Sequence, residues 1–170
     1  MRVGQAKELF RALTQQYFGG ANVVFANQSR TAKQKEPLVV LTPGNVHRPQ
    51  APNYTFVDGE VVGHYLSRFS ITVDLFTNGS PVVDEVSGKV VAYEDNAVDD
   101  MLSFADFLNS EHTVQWSHQN DVSILIDGDV LNLTGVVNDT SYEFRSRLTV
   151  QFYFTQKAVG ASTALLESSL

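Results

Sequence analysis

From Ser141 to Gln156 the chain alternates apolar and polar positions with almost no break. Tyr142, Phe144, Leu148, Val150, Phe152 and Phe154 fall on one phase, and Glu143, Arg145, Arg147, Thr149, Gln151 and Thr155 on the other. Strand side chains point to opposite faces with period two, so this pattern predicts a single long half-buried β-strand. Its length far exceeds the usual five or six residues or so. A second alternation runs through His64–Phe76, with Tyr65, Phe69, Ile71, Val73 and Leu75 opposed by Arg68, Ser70, Thr72 and Asp74. Residues 68–76 and 145–153 match in type and phase, as strands of one antiparallel sheet with a shared apolar face would.

The remaining elements follow from the same reading. Val3, Ala6, Phe10, Leu13 and Tyr17 recur at helical spacing and predict a helix over Gly4–Phe18, with Gly19-Gly20 as a left-handed stop. Val23–Ala26 and Leu38–Leu41 read as short strands, the second bent or broken by Pro43-Gly44. Between them, 27–36 reads as an exposed basic loop carrying Arg30, Lys33 and Lys35. Tyr54–Val57 and Glu60–Val62 flank Asp58-Gly59, a pair that favours a type I′ hairpin turn. Residues 81–93 predict a charged, exposed hairpin arm, Val82-Val83 against Val90-Val91. Asp95–Asn109 predicts a second helix with a stripe of Val98, Met101, Leu102, Ala105 and Leu108; Glu94, Asp95, Asp99 and Asp100 crowd its start, where the helix dipole favours negative charge. Val122–Ile126 is a strand closed by Asp127-Gly128-Asp129, and Leu131–Val137 is a weaker apolar segment. The expected architecture is one α+β domain over 1–157, an antiparallel or mixed sheet with long strands packed against two helices, followed by a flexible tail over 158–170.

Composition narrows the function more than the fold. The 170 residues carry a formal charge of −7, which disfavours tight nucleic-acid binding because phosphate neutralisation needs a basic footprint. There is no cysteine, so disulfides and thiolate metal sites are excluded. No apolar run approaches the roughly eighteen residues of a membrane span, and Met1–Glu8 has no apolar leader core. A water-soluble chain made in the cytoplasm is expected.

Catalytic patterns are wanting. His112 and His118 are six apart, in neither helical register nor zinc-ligand spacing, and are read with His47 and His64 as exposed loop residues. Asp127-Gly128-Asp129 lacks the further acidic ligands of a calcium loop. No serine sits in a nucleophile elbow, and the glycines match no phosphate-binding fingerprint. The paired carboxylates of 94–100 already have a role at a helix start. A non-enzymatic protein without cofactor or metal is expected.

Several segments resemble the neck or tail terminator proteins of tailed bacteriophages: the N-terminal amphipathic helix, Val23–Gln28, Glu36-Pro37–Leu41, the strand about Ser67–Leu75, the helix with Leu102–Leu108, and the closing Tyr142–Phe152. The resemblance covers about residues 5–157 and rests on order and spacing; the arm and the tail depart from it. It implies a virion protein, assembled in the host cytoplasm, that forms a ring of six at the end of the tail tube. Such a ring stops tube growth and joins tube, and sheath where present, to the head connector. DNA would pass through the ring without sequence-specific contact, and no membrane is involved. The resemblance also makes Glu143, Arg145, Arg147 and Gln151, with Arg30, Lys33 and Lys35, candidates for subunit interfaces. Asp84, Glu85, Glu94, Asp95, Asp99 and Asp100 become candidates for an acidic lumen. Charge reversal at Arg145 or Arg147 is then expected to leave the monomer folded and to impair joining. Two alternatives stay open: a tail-tube or tail-completion protein, which would polymerise openly, and a small-molecule-binding α+β domain.

Overall fold

The computed structural model describes residues 1–26, 37–138 and 141–159, with the backbone alone at 136–138, 141–142 and 159. In chain order the elements are α1 (Val3–Tyr17), β1 (Asn22–Phe25), β2 (Leu38–His47), β3 (Asn53–Val57), β4 (Glu60–Thr77), β5 (Ser80–Val83), β6 (Val90–Glu94), α2 (Ala97–Leu108), α3 (Glu111–Gln119), β7 (Val122–Ile126), β8 (Leu131–Asn132), β9 (Gly135–Asn138) and β10 (Ser141–Val159). The protein is an α+β fold with a mixed sheet, as its periodicity predicts.

Two long strands form the spine. β10, 19 residues, runs antiparallel to β4, 18 residues, in unbroken register from Phe144 opposite Thr77 to Val159 opposite Val62. The two alternating segments are thus direct neighbours, and the phase they share is the buried one. The sheet order is β1-β2-β4-β10-β7, with β3 extending β4 and with β8 and β9 on β10. Among the described residues only β1 and β2 pair in parallel. Pro43 and Gly44 bend β2 without ending it: the register with β4 shifts between Pro43 and Val46, then resumes to His47. The β3–β4 turn has positive φ at both Asp58 and Gly59, 53° and 82°, as a type I′ hairpin requires.

The helices cover one face of the sheet. Ala6, Phe10 and Leu13 of α1 and Met101, Phe104 and Leu108 of α2 join Phe69, Ile71, Val73, Leu75, Leu148, Val150, Phe152 and Phe154 in one core. Phe152 lies at its centre, edge-on to Phe10 at 5.8 Å and beside Phe69 at 5.5 Å. The buried Ser146 hydroxyl donates to the Ala97 carbonyl at 2.6 Å and fixes the start of α2 over the sheet.

Four local expectations are corrected. α3 had no counterpart in the periodicity: Ser110 caps it by accepting from the Thr113 N–H, and it places His112 and His118 on a helix instead of a loop. Its short, weakly amphipathic sequence buries chiefly Thr113 and part of Trp116, too little for a stripe. On α2 the buried positions include Phe104, while Leu102 is exposed. Gly19 and Gly20 do not take the left-handed conformation. Instead α1 ends in a turn from the Ala21 N–H to the Phe18 carbonyl, and the Gln15 amide caps both the Phe18 and Ala21 carbonyls. β10 runs three residues beyond Gln156, so only 160–170 of the expected tail lies outside the described residues.

Candidate assembly surfaces

The polar phase of β4 and β10 forms the face of the sheet opposite the helices. Asp74 sits at its centre, its side chain only 7% exposed. A carboxylate this deep requires compensation, and two arginines from the next strand supply it. Arg147 lies directly opposite Asp74 in the ladder, with Nε donating to Oδ1 at 2.8 Å and Nη2 to Oδ2 at 3.2 Å. Arg145 adds Nε and Nη2 to Oδ1 at 3.2 and 2.9 Å, and its guanidinium stacks 4.8 Å over the Phe76 ring. One carboxylate therefore orients two cations, which leaves the cluster itself with one positive charge in excess on an acidic chain. Farther along, Arg68 donates to the Tyr153 hydroxyl at 3.3 Å, and Gln151 donates to Asp127 at 2.8 Å.

The candidate interface residues thus have separate environments. Arg145 and Arg147 come together on Asp74, Gln151 is tied to the turn after β7, and Glu143 is half-buried near the start of β10, opposite Gly135. Arg30, Lys33 and Lys35 lie outside the described residues. The expectation that charge reversal at Arg145 or Arg147 spares the fold is revised. A carboxylate at either position would face Asp74 at hydrogen-bond range inside the sheet. Asp74 itself was read as one more residue of a wet face. Its place near the middle of a long strand in the same phase as an Arg was the available signal, since a central strand position rarely leaves a carboxylate in water.

The acidic candidates also divide. Asp95 is structural: Oδ1 accepts from the Ala97 N–H at 3.0 Å at the start of α2, and Oδ2 accepts from the Thr134 hydroxyl at 2.7 Å. Thr134 in turn accepts from the Arg145 N–H at 3.0 Å, so the helix start, the β8–β9 connection and the long strand are tied together. Asp84 closes the arm by accepting from Ser87, backbone and side chain, and from the Val86 N–H, and these hydrogen bonds hold its carboxyl below the usual carboxylate range. Asp100 is pushed up by burial and by the neighbouring Asp99. Glu85, Glu94 and Asp99 are exposed.

The arm itself, β5 paired with β6, forms a separate two-stranded sheet. Val82, Val83, Val90, Val91 and Tyr93 are exposed along it, and Val86 at the tip is 97% exposed. An open cleft of about 510 Å³ beside β7 is lined by His64, His118, Asp121, Tyr153 and Lys157. Among the described residues no three His, Cys, Asp or Glu side chains gather as a metal site would require.

The sequence profile of the phage neck terminator proteins matches residues 7–167. The chain belongs to that family. No curated protein sequence matches it. Membership makes it a structural component of the phage virion, located at the neck and interacting with other virion parts. No helix among the described residues is long and apolar enough to cross a membrane. In this neck terminator the long strands supply a stiff platform. The polar face of the sheet carries no helix, and the arm and the β3–β4 hairpin expose apolar side chains.

Proposed function

We propose that the protein assembles as a closed ring, six subunits in the simplest case, at the head-proximal end of the tail tube. There it ends tube growth and connects the tube, with any sheath, to the head connector. The observation that carries this reading is the family match across nearly the whole chain. The open polar face supports it, because a sheet left bare on one side offers a broad, rigid surface. In a ring, each subunit presents two different patches, and closure at a fixed number prevents endless addition. Glu143, Arg145, Arg147 and Gln151 then face a neighbour or the channel, with Arg30, Lys33 and Lys35 as further contacts to an adjoining protein. Lumen lining falls to Glu94, Asp99 and Asp100, whose carboxylates repel phosphate and let DNA slide without base contacts. Asp84, Glu85 and Asp95 are weaker lumen candidates, the first two because they belong to the arm and the last because its carboxylate is engaged.

Assembly state, virion content and gene deletion test the proposal. Light scattering and electron microscopy of the purified protein should show single closed rings, and virions should contain it. Phage lacking the gene should accumulate filled heads apart from overlong tails. Open filaments of purified protein would favour a tube component, and absence from virions would refute the reading outright.

A further inference from the structure

Two apolar hairpins are rooted at opposite ends of one strand. β4 spans 18 residues, about 56 Å at the usual rise, with the β3–β4 turn at its start and the arm leaving two residues after its end. The β3 tip exposes Tyr54, Val57 and Phe56, the last 80% exposed. The arm exposes valines along its length and at its turn. A lone two-stranded hairpin is at best marginally stable in water, and clustered exposed apolar groups at both ends of a molecule call for cover. Both hairpins also have strand edges that carry no ladder among the described residues, since β3 pairs only with β4, and β5 only with β6.

Charge decides what covers them. Glu94, Asp95, Asp99 and Asp100 lie around the root of the arm, and its turn carries Asp84 and Glu85 against Lys89. At the other end the Met1 ammonium donates to the Thr155 carbonyl beside Arg2. Arg48 bonds Gln156 and stacks over Tyr65, and Lys157 lies opposite His64. Against these four cations this end carries Asp58, Glu60 and Asp121. The chain is polarised along its spine, acidic and apolar at one end, mildly basic and apolar at the other. Such complementarity steers unlike ends together and holds like ends apart.

We infer that the arm of one copy seats on the β3–β4 hairpin end of a second copy, strand edge to strand edge, as the heterologous contact between neighbours. This rests on the ring reading and names the surfaces that close the ring. The chain has no cysteine, so single cysteines report contacts cleanly. V86C and F56C, placed at exposed tips, are treated with a short bis-maleimide, separately, mixed, and combined in one chain, in purified protein and in virions. V83C with Y54C is a second pair should either tip variant fail to fold. The mixture should give a covalent dimer, and the double variant a ladder ending at the ring number. Efficient linking of V86C to itself would mean arm-to-arm contact and overturn the inference. Absence of mixed linking in both preparations would also overturn it; rings seen by light scattering in that case would leave the proposed function standing and assign closure to other faces.

Discussion

Replacing Asp74 with alanine should be among the most damaging single polar changes in this protein. The substitution removes four charge-assisted hydrogen bonds and leaves Arg145 and Arg147 side by side with no carboxylate between them. Breaking a fully buried pair costs about 3–5 kcal/mol because the remaining charge is stranded. Here the arginine side chains are 30% and 36% exposed, so water recovers part of the loss. The expected cost is about 2–3 kcal/mol. At about 2–4 °C per kcal/mol for a chain of this size, the melting temperature should fall by roughly 4–12 °C. Unfolding should be followed at low protein concentration, where association does not mask the change. Arg147→Ala should cost less than Asp74→Ala, because Arg145 still neutralises the carboxylate. Joint replacement of all three residues by apolar ones of similar volume should be near neutral. An Asp74→Ala variant within about 0.5 kcal/mol of the parent, or an Arg147→Ala variant more damaging than it, would refute Asp74 as the hub.

Three further outcomes follow from the geometry. Phe152→Ala removes a ring buried against Phe10 and Phe69 and should cost about 3–5 kcal/mol in urea titrations, against a negligible effect for Phe56→Ala in the monomer. Gly79→Ala should destabilise by about 1–3 kcal/mol: Gly79 has φ +75°, and a Cβ there would collide with the Glu94 carbonyl oxygen and the Phe144 ring. At the arm turn, the Asp84 carboxyl is held below its ordinary range, so its contribution is full above that range and fades as pH falls through the lowered value. Amide exchange at Val86 and Ser87, corrected for its intrinsic pH dependence, should therefore lose protection on acidification, and Asp84→Ala should abolish that dependence.

Elements whose own residues carry a strong period were legible in the sequence. β4 and β10 announce themselves through alternation, and the matching phases of residues 68–76 and 145–153 reflect a shared buried face. The hairpin at Asp58-Gly59 and the arm were legible because turn chemistry is local. α3 was not, because it buries little and its start depends on one serine cap. The Asp74 cluster was missed for a different reason. Phase says which face a residue is on, but only register says that Arg147 stands across from Asp74, and register between strands seventy residues apart is a tertiary fact. The tie from Asp95 through Thr134 to β10 is hidden in the same way.

That hidden register changes what the polar face can do. Had Arg145 and Arg147 been free, each would be a flexible cation whose ordering on contact costs entropy. Held by Asp74 and by the Phe76 ring, they are fixed before any partner arrives, with their outer edges still exposed. Preorganisation of this kind lowers the cost of binding without adding a contact. The same carboxylate that stabilises the sheet therefore keeps a rigid positive patch on the open face of an otherwise acidic chain. Folding and assembly are separable by titrating the patch in steps. Arg145→Lys keeps the charge but loses the fork and the ring stack, so it should weaken contact with an acidic partner more than it weakens the fold. If Arg145→Lys instead lowers stability and leaves assembly of heads with tails unchanged, the cluster serves the sheet alone.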